Sequence, residues 1–580
     1  MEKRAILAAV LMAGVLMLYQ ALFLSSPEQP PPPAKTEDAA PTAPTGSTPP
    51  GPAPAAPIVA PPLPAGPLPA VPERTAEIET PLYRARVSSA GGALQQWELD
   101  YRGLKPMVVP GVLGPLGLMV ERPGAGRRVL GFEVSPGALK LAEGQSPAEL
   151  RLAGEDGFGL RVTQILRFRA DSYAVERVIL VENRHSMPQS ADILLLWTAP
   201  ITWPADQAER FQGQHSTRVV ARANGAIRRE ELSSVGTRPQ VGEGRWIGIE
   251  SEWYLAAFVP QSPGFRVTEA RLSADRAPEG AASDAKPANG KPGETVEVGL
   301  RATLPILGPG KSWEGRVLIY VGPKEHDRLK SFGVELEKSI HFGGFPMPQA
   351  YGGLPMEWVA VPVLWLMHRI YALTGNYGIA IILLTIITKV LFFPLTLKSM
   401  RSMKAMQAIQ PQVNALRAKY KNDPQRVQRE MMEIYRQHKV NPLGGCLPMV
   451  VQIPIFYALY VALSVTVEIQ NAPFICFGRI FGVELWICDL AAQDPTYVLP
   501  ILMGVSMFIQ QKMTPVMGDP RQAKIMLMMP VVFTFMFLSL PSGLVLYWTL
   551  SNVLQIAQQY YMNRGAKKAE RVPARAPKKA

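Results

Sequence analysis

The sequence predicts a polytopic α-helical membrane protein with six spans and a large exported β-sandwich domain, so that the fold class is mixed α and β. Three observations predict this class. The chain of 580 residues is 47% hydrophobic and 18% charged, which is too apolar for a disordered chain and too charged for a bundle lying wholly in lipid. Long apolar runs gather after residue 376, whereas residues 76–323 alternate in short stretches between turn signals. Two segments together account for the whole net charge of +13, because the bases and acids of the remaining chain balance.

The first 26 residues are predicted to form a retained transmembrane anchor. Lys3 and Arg4 precede an apolar run that extends to Leu24 and is broken only by Gln20. About 20 such residues span a bilayer. A cleaved signal peptide is the alternative, although no A-x-A cleavage site follows. Residues 27–75 are rich in Pro and Ala and should form an extended linker, because they cannot bury a core.

Residues 76–340 are predicted to form the exported β-sandwich domain. Alternation at 165–168 and 173–180 lies between turn signals at 90–92, 170–172 and 223–225. This region shows no catalytic constellation. The segment 305–312 ends like a phosphate-binding loop, but Pro305 stands where the first glycine is required, so a turn is predicted. Three cysteines and six scattered histidines offer no zinc spacing, and neither a metal nor another cofactor is expected.

Residues 355–374 predict an amphipathic helix in the membrane interface, with Trp358 and Trp365 among its apolar residues. A helix packed on the soluble domain is the alternative. The core at 376–562 then contains five apolar segments, each long enough to cross a bilayer, the fourth only just. These segments are 376–397, 446–467, 496–513, 525–540 and 543–562.

Two basic segments set the predicted topology. Residues 398–445 carry ten bases and three acids, and residues 563–580 carry seven bases and one acid. By the positive-inside rule, both segments and both termini face the cytoplasm, and the β domain is periplasmic. The first segment contains a predicted cytoplasmic helical hairpin, 398–440, and the second is a basic cytoplasmic tail. Bases beside long apolar runs do not indicate a specific nucleic-acid site.

Apolar stripes accompany the bases of the hairpin. They either pack the two helices together or contact apolar segments of other chains. Their residues are Met400, Met403, Met406 and Ile409 in the first helix, and Val427, Met431 and Tyr435 in the second.

Lys389 is the most informative position. It lies about 12 residues into the second predicted span, where a cation costs roughly 2.5–3.5 kcal/mol. Thr385 lies one turn earlier on the same face. Since the last five predicted spans contain no Asp or Glu, Lys389 is predicted to face a water-filled cavity. The alternative is snorkelling towards cytoplasmic headgroups, because Pro394 ends the helix five residues later.

Other function classes remain open at this point. A polytopic solute transporter usually needs a titrating carboxylate near the midplane or inverted repeats, and neither is found. An exported sugar-processing protein would need a carboxylate pair in the β domain, and five spans would be unexplained. An accessory subunit of another translocon is a further alternative. A disulfide between Cys476 and Cys488 in the outer loop is possible.

The motifs of the chain resemble the YidC family of membrane protein insertases of Gram-negative bacteria. The exported domain matches loosely at WIGI (246–249) and WYLAA (253–257). The membrane motifs are more specific: GNYG (375–378), FPLT (393–396), EMM (430–432), VNPLGGCLP (440–448), QIPIF (452–456) and the segment 541–547.

The resemblance implies a β-supersandwich in the exported domain and a five-helix core around a hydrophilic groove. The family's groove cation, usually Arg, falls on Lys389, which keeps the charge but loses the planar fork. The other groove positions fall on Thr385, Gln452 and Trp548. Client proteins would slide out along the third and fifth spans, where the matching residues are Ile453, Pro454 and Phe456.

The resemblance also implies function and partners. The chain would be an insertase and membrane chaperone, not an enzyme, that inserts inner-membrane proteins and helps them fold and assemble. It would act alone or with the Sec translocon. Expected partners are nascent membrane proteins, the Sec translocon with its accessory subunits, membrane lipids, and the ribosome through the basic hairpin and tail.

Overall fold

The computed structural model describes most of the chain after residue 72. The predicted anchor, nearly all of the linker and the end of the basic tail lie outside the described residues. The described residues are 73–101, 104–108, 117–145, 147–201, 217–272, 294–345, 354–420, 423–438, 447–480, 483–513 and 520–570.

The described part of the β domain contains three sheets, whose neighbouring strands are antiparallel except for the parallel pair β1 (Thr75–Glu79) and β8 (Ala138–Lys140). The largest has nine strands, in the spatial order β14 (Ala226–Glu231), β13 (Arg218–Ala223), β16 (Gly244–Glu250), β17 (Tyr254–Pro260), β20 (Ser312–Pro323), β11 (Ala174–Asn183), β10 (Leu160–Phe168), β9 (Ala148–Glu155) and β7 (Glu133–Ser135). The second has six: β15 (Gln240–Gly242), β18 (Phe265–Leu272), β19 (Thr295–Thr303), β12 (Asp192–Pro200), β5 (Gly117–Arg122) and β6 (Gly126–Val129). The third has five: β4 (Leu104–Val108), β3 (Leu94–Asp100), β2 (Tyr83–Ser88), β1 (Thr75–Glu79) and β8 (Ala138–Lys140).

Alternating burial explains why these segments form a sandwich. Along β10, every second residue is buried, and the buried Val162 pairs with the buried Val181 of β11. Strands β16 and β17 of the large sheet contact β18 and β19 of the six-stranded sheet, so that two apolar faces enclose a core. Trp246 and Phe258 are fully buried in it. The predicted β-sandwich is thus confirmed.

Nine α-helices follow in the described residues, with two short hairpins between them. The helices are α1 (His326–Ser331), α2 (Glu357–Thr374), α3 (Tyr377–Leu391), α4 (Phe393–Lys419), α5 (Pro424–Gln437), α6 (Leu447–Val465), α7 (Val498–Met513), α8 (Pro520–Phe537) and α9 (Ser542–Glu570). The hairpin strands are β21 (Gly344–Phe345), β22 (Leu354–Pro355), β23 (Ile475–Ile480) and β24 (Val483–Ile487). Short 3₁₀ turns occur at Leu232–Ser234, Leu336–Ser339 and Val467–Ile469.

Length and hydropathy test the predicted spans. Within the described ranges, no helix is by itself both long and apolar enough to cross a bilayer, whereas α3 and α4 meet that requirement as a pair bent by 59°. The six spans stay a prediction.

The helices after residue 376 pack around α9. This helix contacts α3, α6 and α7, while α8 packs on α7 and α2 packs on α3 and α6. The hairpin helices α4 and α5 contact each other, and Asp423 caps α5 by accepting a hydrogen bond from Arg426 N at 3.0 Å. Met406 and Ile409 of the first apolar stripe are buried.

The loop between α6 and α7 holds the ends of several helices. Cys476 and Cys488 form a disulfide across the hairpin β23–β24, which answers the question that the sequence left open. Asp494 caps α7, since its carboxylate accepts hydrogen bonds from Thr496 N at 2.9 Å and Leu499 N at 2.8 Å. Gly543 N, at the start of α9, donates to Leu490 O at 2.9 Å.

Candidate functional site

The helix that carries Lys389 is fixed at its N-terminal end. Asn376 caps α3, because its side-chain oxygen accepts from Gly378 N at 2.8 Å and Ile379 N at 3.2 Å. The amide of Asn376 also donates to Phe474 O at 3.2 Å. A Cβ on Gly378 would lie 2.1 Å from the Phe474 ring, so this close approach requires glycine. The cap therefore joins α3 to the loop between α6 and α7.

Thr385 and Lys389 lie one turn apart on the same face of α3. Thr385 is fully buried, and its hydroxyl donates to Ile381 O at 2.6 Å within its own helix. Lys389 is half-buried, and its Nζ donates to the side-chain oxygen of Gln555 in α9 at 3.2 Å. The sequence-predicted cation thus contacts a neutral amide, which leaves its positive charge without compensation in that contact.

Gln555 belongs to a polar stripe on α9. Trp548, Asn552, Gln555 and Gln559 are spaced by four, three and four residues, which places them on one helix face. Asn552 Nδ2 donates to Ser506 Oγ of α7 at 3.3 Å, and Gln559 Nε2 donates to Met513 O at 2.7 Å. Asn552, Gln555 and Gln559 of this stripe therefore face α3 and α7 rather than the outside of the bundle.

Trp548 joins the predicted groove to the predicted exit path. Its ring meets Phe456 of α6 edge-on at a centroid distance of 4.4 Å, and Phe537 of α8 at 5.1 Å. Phe533 lies at 6.2 Å. The structure thus brings together Trp548, predicted for the groove, and Phe456, predicted for the slide, at the meeting point of α6, α8 and α9.

The other predicted slide residues lie on the same helix, α6. Ile453 is 41% exposed. Pro454 stands inside the helix, where it removes one backbone hydrogen bond and makes a local bend possible. Gln452 lies in α6, but its side chain is outside the described part of the chain. Its predicted groove role stays a prediction.

Gln555 is the site residue that sequence reasoning did not assign. The sequence shows it as a polar residue in the last predicted span, but which residue meets Lys389 depends on how α9 is rotated against α3. The spacing of Asn552, Gln555 and Gln559 was the available signal, because such spacing marks one face of a helix.

No cluster for a metal ion is found in the described part of the chain, where no three or more His, Cys, Asp or Glu side chains converge. The chemistry that the site offers is therefore that of a cation, amides and aromatic rings. Such groups bind and orient polar or acidic segments and do not supply a nucleophile with its base.

Comparison with known proteins gives consistent matches over nearly the whole chain. A family model described as YidC periplasmic domain matches residues 75–366, and one described as 60Kd inner membrane protein matches residues 369–570. A membrane protein insertase YidC of Syntrophus aciditrophicus (strain SB) is 37% identical, over 98% of this chain and 100% of the relative. The same protein of Geobacter sulfurreducens is 38% identical, again over 98% and 100%.

A solved structure is also similar at low identity. A crystal structure of an active YidC insertase with its first transmembrane domain resolved is 20% identical and covers 86% of this chain and 95% of its own. The TM-score is 0.35, so the family assignment rests on the sequence matches.

Proposed function

Because the chain belongs to the YidC family of membrane protein insertases, we propose that it inserts integral proteins into the bacterial inner membrane and helps them fold and assemble. It is an insertase and not a catalytic enzyme. The observation that supports the proposed mechanism most directly is the contact of Lys389 with Gln555, which places a cation on a polar stripe among apolar helices.

The proposed groove consists of Lys389, Thr385, Gln452 and Trp548. A client's polar or acidic tail would be held transiently near Lys389, whose charge lowers the cost of moving that tail out of water. The amide of Gln555 would exchange its hydrogen bond with Lys389 for contacts to the tail. Lys389 would act as a point charge, since Lys lacks the bidentate geometry of Arg.

The client's apolar segment would supply the driving force. Each Leu, Ile, Phe or Val near the bilayer centre contributes about −0.3 to −0.6 kcal/mol, while an acidic residue there costs about 2.5–3.5 kcal/mol. A segment of about 20 such residues therefore outweighs one or two acids by itself. The groove would act on the barrier to crossing, not on the final equilibrium. Release would occur beside Ile453, Pro454 and Phe456 on α6, next to α8.

The exposed faces of the helices support a membrane placement. Ile501, Leu502 and Val505 on α7, and Val531 and Phe535 on α8, are exposed large apolar residues, which is costly in water and favourable in lipid. We place six spans in the inner membrane, with both termini cytoplasmic and the β domain in the periplasm.

The partners follow from this topology. The basic hairpin α4–α5 and the basic tail would face the cytoplasm, where they could contact the ribosome through its phosphates. Nascent membrane proteins would be the clients, alone or with the Sec translocon and its accessory subunits, and membrane lipids would surround the core.

Purified protein in liposomes tests the proposal. A short single-span client with an acidic tail is added, and its protection from protease is measured against empty liposomes. Protection well above the empty liposomes is expected. Lys389→Met should lose most of the gain, whereas the control Lys512→Met, which removes an exposed cation at the end of α7, should keep it. Equal protection with and without the protein would contradict autonomous insertion.

A further inference from the structure

An open cleft of about 540 Å³ lies between α7 and α8, near the start of α7 and the end of α8. Its walls are formed by Ile501 of α7 and by Phe535 and Leu538 near the end of α8. Ile501 and Phe535 are 54% and 70% exposed. This volume lies in the range of about 300–1,000 Å³ that is typical of small-molecule sites.

The inner end of the cleft is closed by a tight helix crossing. A Cβ on Gly504 of α7 would lie 2.0 Å from Thr534 Oγ1 of α8, so the two backbones approach as closely as glycine permits. The Thr534 hydroxyl donates to Pro530 O at 2.7 Å and is therefore satisfied within its own helix. Tyr497, at the open end, and Gly504 are seven residues apart, which gives a depth of about 10 Å at 1.5 Å per residue.

The open end has a neutral polar rim of Gln493, Tyr497 and Ser539. Tyr497 has a left-handed backbone, with φ +57°, a conformation that costs energy for an aromatic residue. The capping bonds of Asp494 to Thr496 N and Leu499 N hold the chain on both sides of it. The tyrosine ring is thereby kept at the mouth of the cleft, and the lining contains no charged side chain.

These features select one occupant. Water is disfavoured because apolar walls offer it no hydrogen-bond partners. A client helix needs a path of about 30 Å, whereas this cleft ends after about 10 Å. One leaflet of the hydrocarbon core is about 15 Å deep, so the cleft matches a chain that is apolar along its length and polar at its outer end.

We propose that the cleft between α7 and α8 binds an acyl chain of an outer-leaflet phospholipid, with the ester region against Gln493, Tyr497 and Ser539. This inference rests on the membrane placement given under Proposed function. Because the rim is uncharged, binding discriminates acyl chains and not headgroup charge. A bound chain fills the gap outside the Gly504–Thr534 crossing.

Photocrosslinking of the full chain in vesicles tests this site without any client. The vesicles contain phosphatidylcholine with a diazirine near the end of one acyl chain, and labelled residues are mapped by mass spectrometry. Labelling is expected to be several-fold higher at Ile501, Phe535 and Leu538 than at Ile509, an exposed residue of α7 that does not line the cleft. Replacing the headgroup by phosphatidylglycerol should leave this pattern unchanged.

A matched pair of variants sharpens the result. Ile501→Trp fills the cleft and should abolish the enrichment, whereas Ile509→Trp adds the same ring two turns away and should keep it. Even labelling along α7 and α8, or an unchanged pattern in Ile501→Trp, would overturn the lipid assignment. If Ile501→Trp does not fold, the labelling pattern of the wild-type protein still shows whether the cleft binds a lipid chain. No labelling anywhere on α7 and α8 would instead contradict the membrane placement.

Discussion

The β domain and the helical core distribute their apolar residues in opposite ways. Among the described residues, exposed large apolar side chains number four before residue 345 and 27 after residue 354. The β domain buries its apolar residues between sheets, as a domain in water must. The helical core presents them outwards, which is favourable only where the surroundings are also apolar. The contrast separates a part that buries its apolar side chains from a part that presents many of them outwards, as the proposed membrane placement requires.

The two regions hold several of their buried charges in different ways. In the β domain, Lys324 Nζ lies 2.8 Å from Glu250 and Arg122 lies 2.6 Å from Asp156, although the fully buried Arg177 donates to the neutral amide of Gln164. In the helical core, Lys389 contacts the neutral Gln555. A charge that is already paired contributes to structure, whereas one held by an amide remains able to attract an acidic group. Lys389 is only half-buried, whereas Arg177 is enclosed in the β domain, and this is the physical reason for proposing Lys389 as the client contact.

The largest expected effect comes from breaking a charge pair in the β domain. Glu250 is fully buried, and Arg218 and Arg229 lie 3.7 and 3.6 Å from it in addition to Lys324. Burial lowers the pKa of Lys324, and Glu250 opposes this shift. Glu250→Gln leaves three cations together and should lower the free energy of unfolding by about 3–5 kcal/mol, measured by denaturant unfolding of the full chain.

An exposed pair supplies the control for that variant. Glu79 and Lys140 lie 3.0 Å apart on the surface, and Glu79→Gln should leave the free energy of unfolding almost unchanged, because solvent screens an exposed pair. If both variants lost the same stability, burial would not distinguish the two pairs.

The disulfide of the outer loop is expected to have the next largest effect. Cys476 and Cys488 close a loop with a sequence separation of 12, and the segment around it holds the N-terminal ends of α3 and α9. Replacing both cysteines by serine should lower stability by about 3 kcal/mol, mainly through the unfolded chain. Thermal unfolding with and without a reductant measures this. A reductant should lower the stability of the wild type but not of the double variant, and equal responses would contradict the role.

A smaller effect is expected where the two regions meet. Trp253 Nε1 donates to Ser464 O at 3.2 Å, in the last turn of α6, where helix carbonyls lack partners of their own. Trp253→Phe keeps an aromatic ring but removes the Nε1–H donor, which should cost about 1 kcal/mol of hydrogen bonding. Hydrogen exchange should become about fivefold faster at Thr466 N, which donates to Ala462 O. The control Trp246→Phe, whose lost bond to Val334 O lies within the β domain, should leave Thr466 unchanged. The same acceleration in both variants would exclude a local effect on α6.

The smallest expected effect is a pH dependence confined to the β domain. Hydrogen bonds from Lys338 and Arg222 lower the pKa of Glu335 to about 2. Since the unfolded carboxyl has an ordinary pKa near 4.3, the ionised pair stabilises the fold above that pH, and this stabilisation is lost as the pH falls towards 2. Unfolding measured from pH 5 to pH 2 should show a shallower decline for Glu335→Gln than for the wild type. Parallel curves would contradict the assignment.

Local patterns explain what the sequence could predict. Alternation at 165–168 and turn signals such as 223–225 identify strands without knowledge of their partners. The β-sandwich class could therefore be predicted from the sequence. Lys389 could be identified from the sequence, because a cation within an apolar run is unusual however the helices pack. Its partner Gln555 could not be identified, since 166 residues separate the two and only helix packing brings them together.

Other contacts were hidden for the same reason. Whether Cys476 meets Cys488 depends on the register and bulge of one hairpin. Trp253 and Ser464 are 211 residues apart and lie on elements of different kinds. Contacts of this sort follow from the assembled fold and leave no periodic signal in the sequence.

Charge exchange at Lys389 tests the central claim most directly. Liposomes containing the wild type, Lys389→Arg or Lys389→Glu are given two clients that share one apolar segment and differ only in an acidic or a neutral tail. Lys389→Glu should reduce insertion of the acidic client about tenfold relative to Lys389→Arg, since about 1.4 kcal/mol corresponds to a factor of ten. The neutral client should be inserted almost equally by all three proteins. Equal loss for both clients, or equal insertion by Lys389→Glu and Lys389→Arg, would contradict electrostatic capture by Lys389.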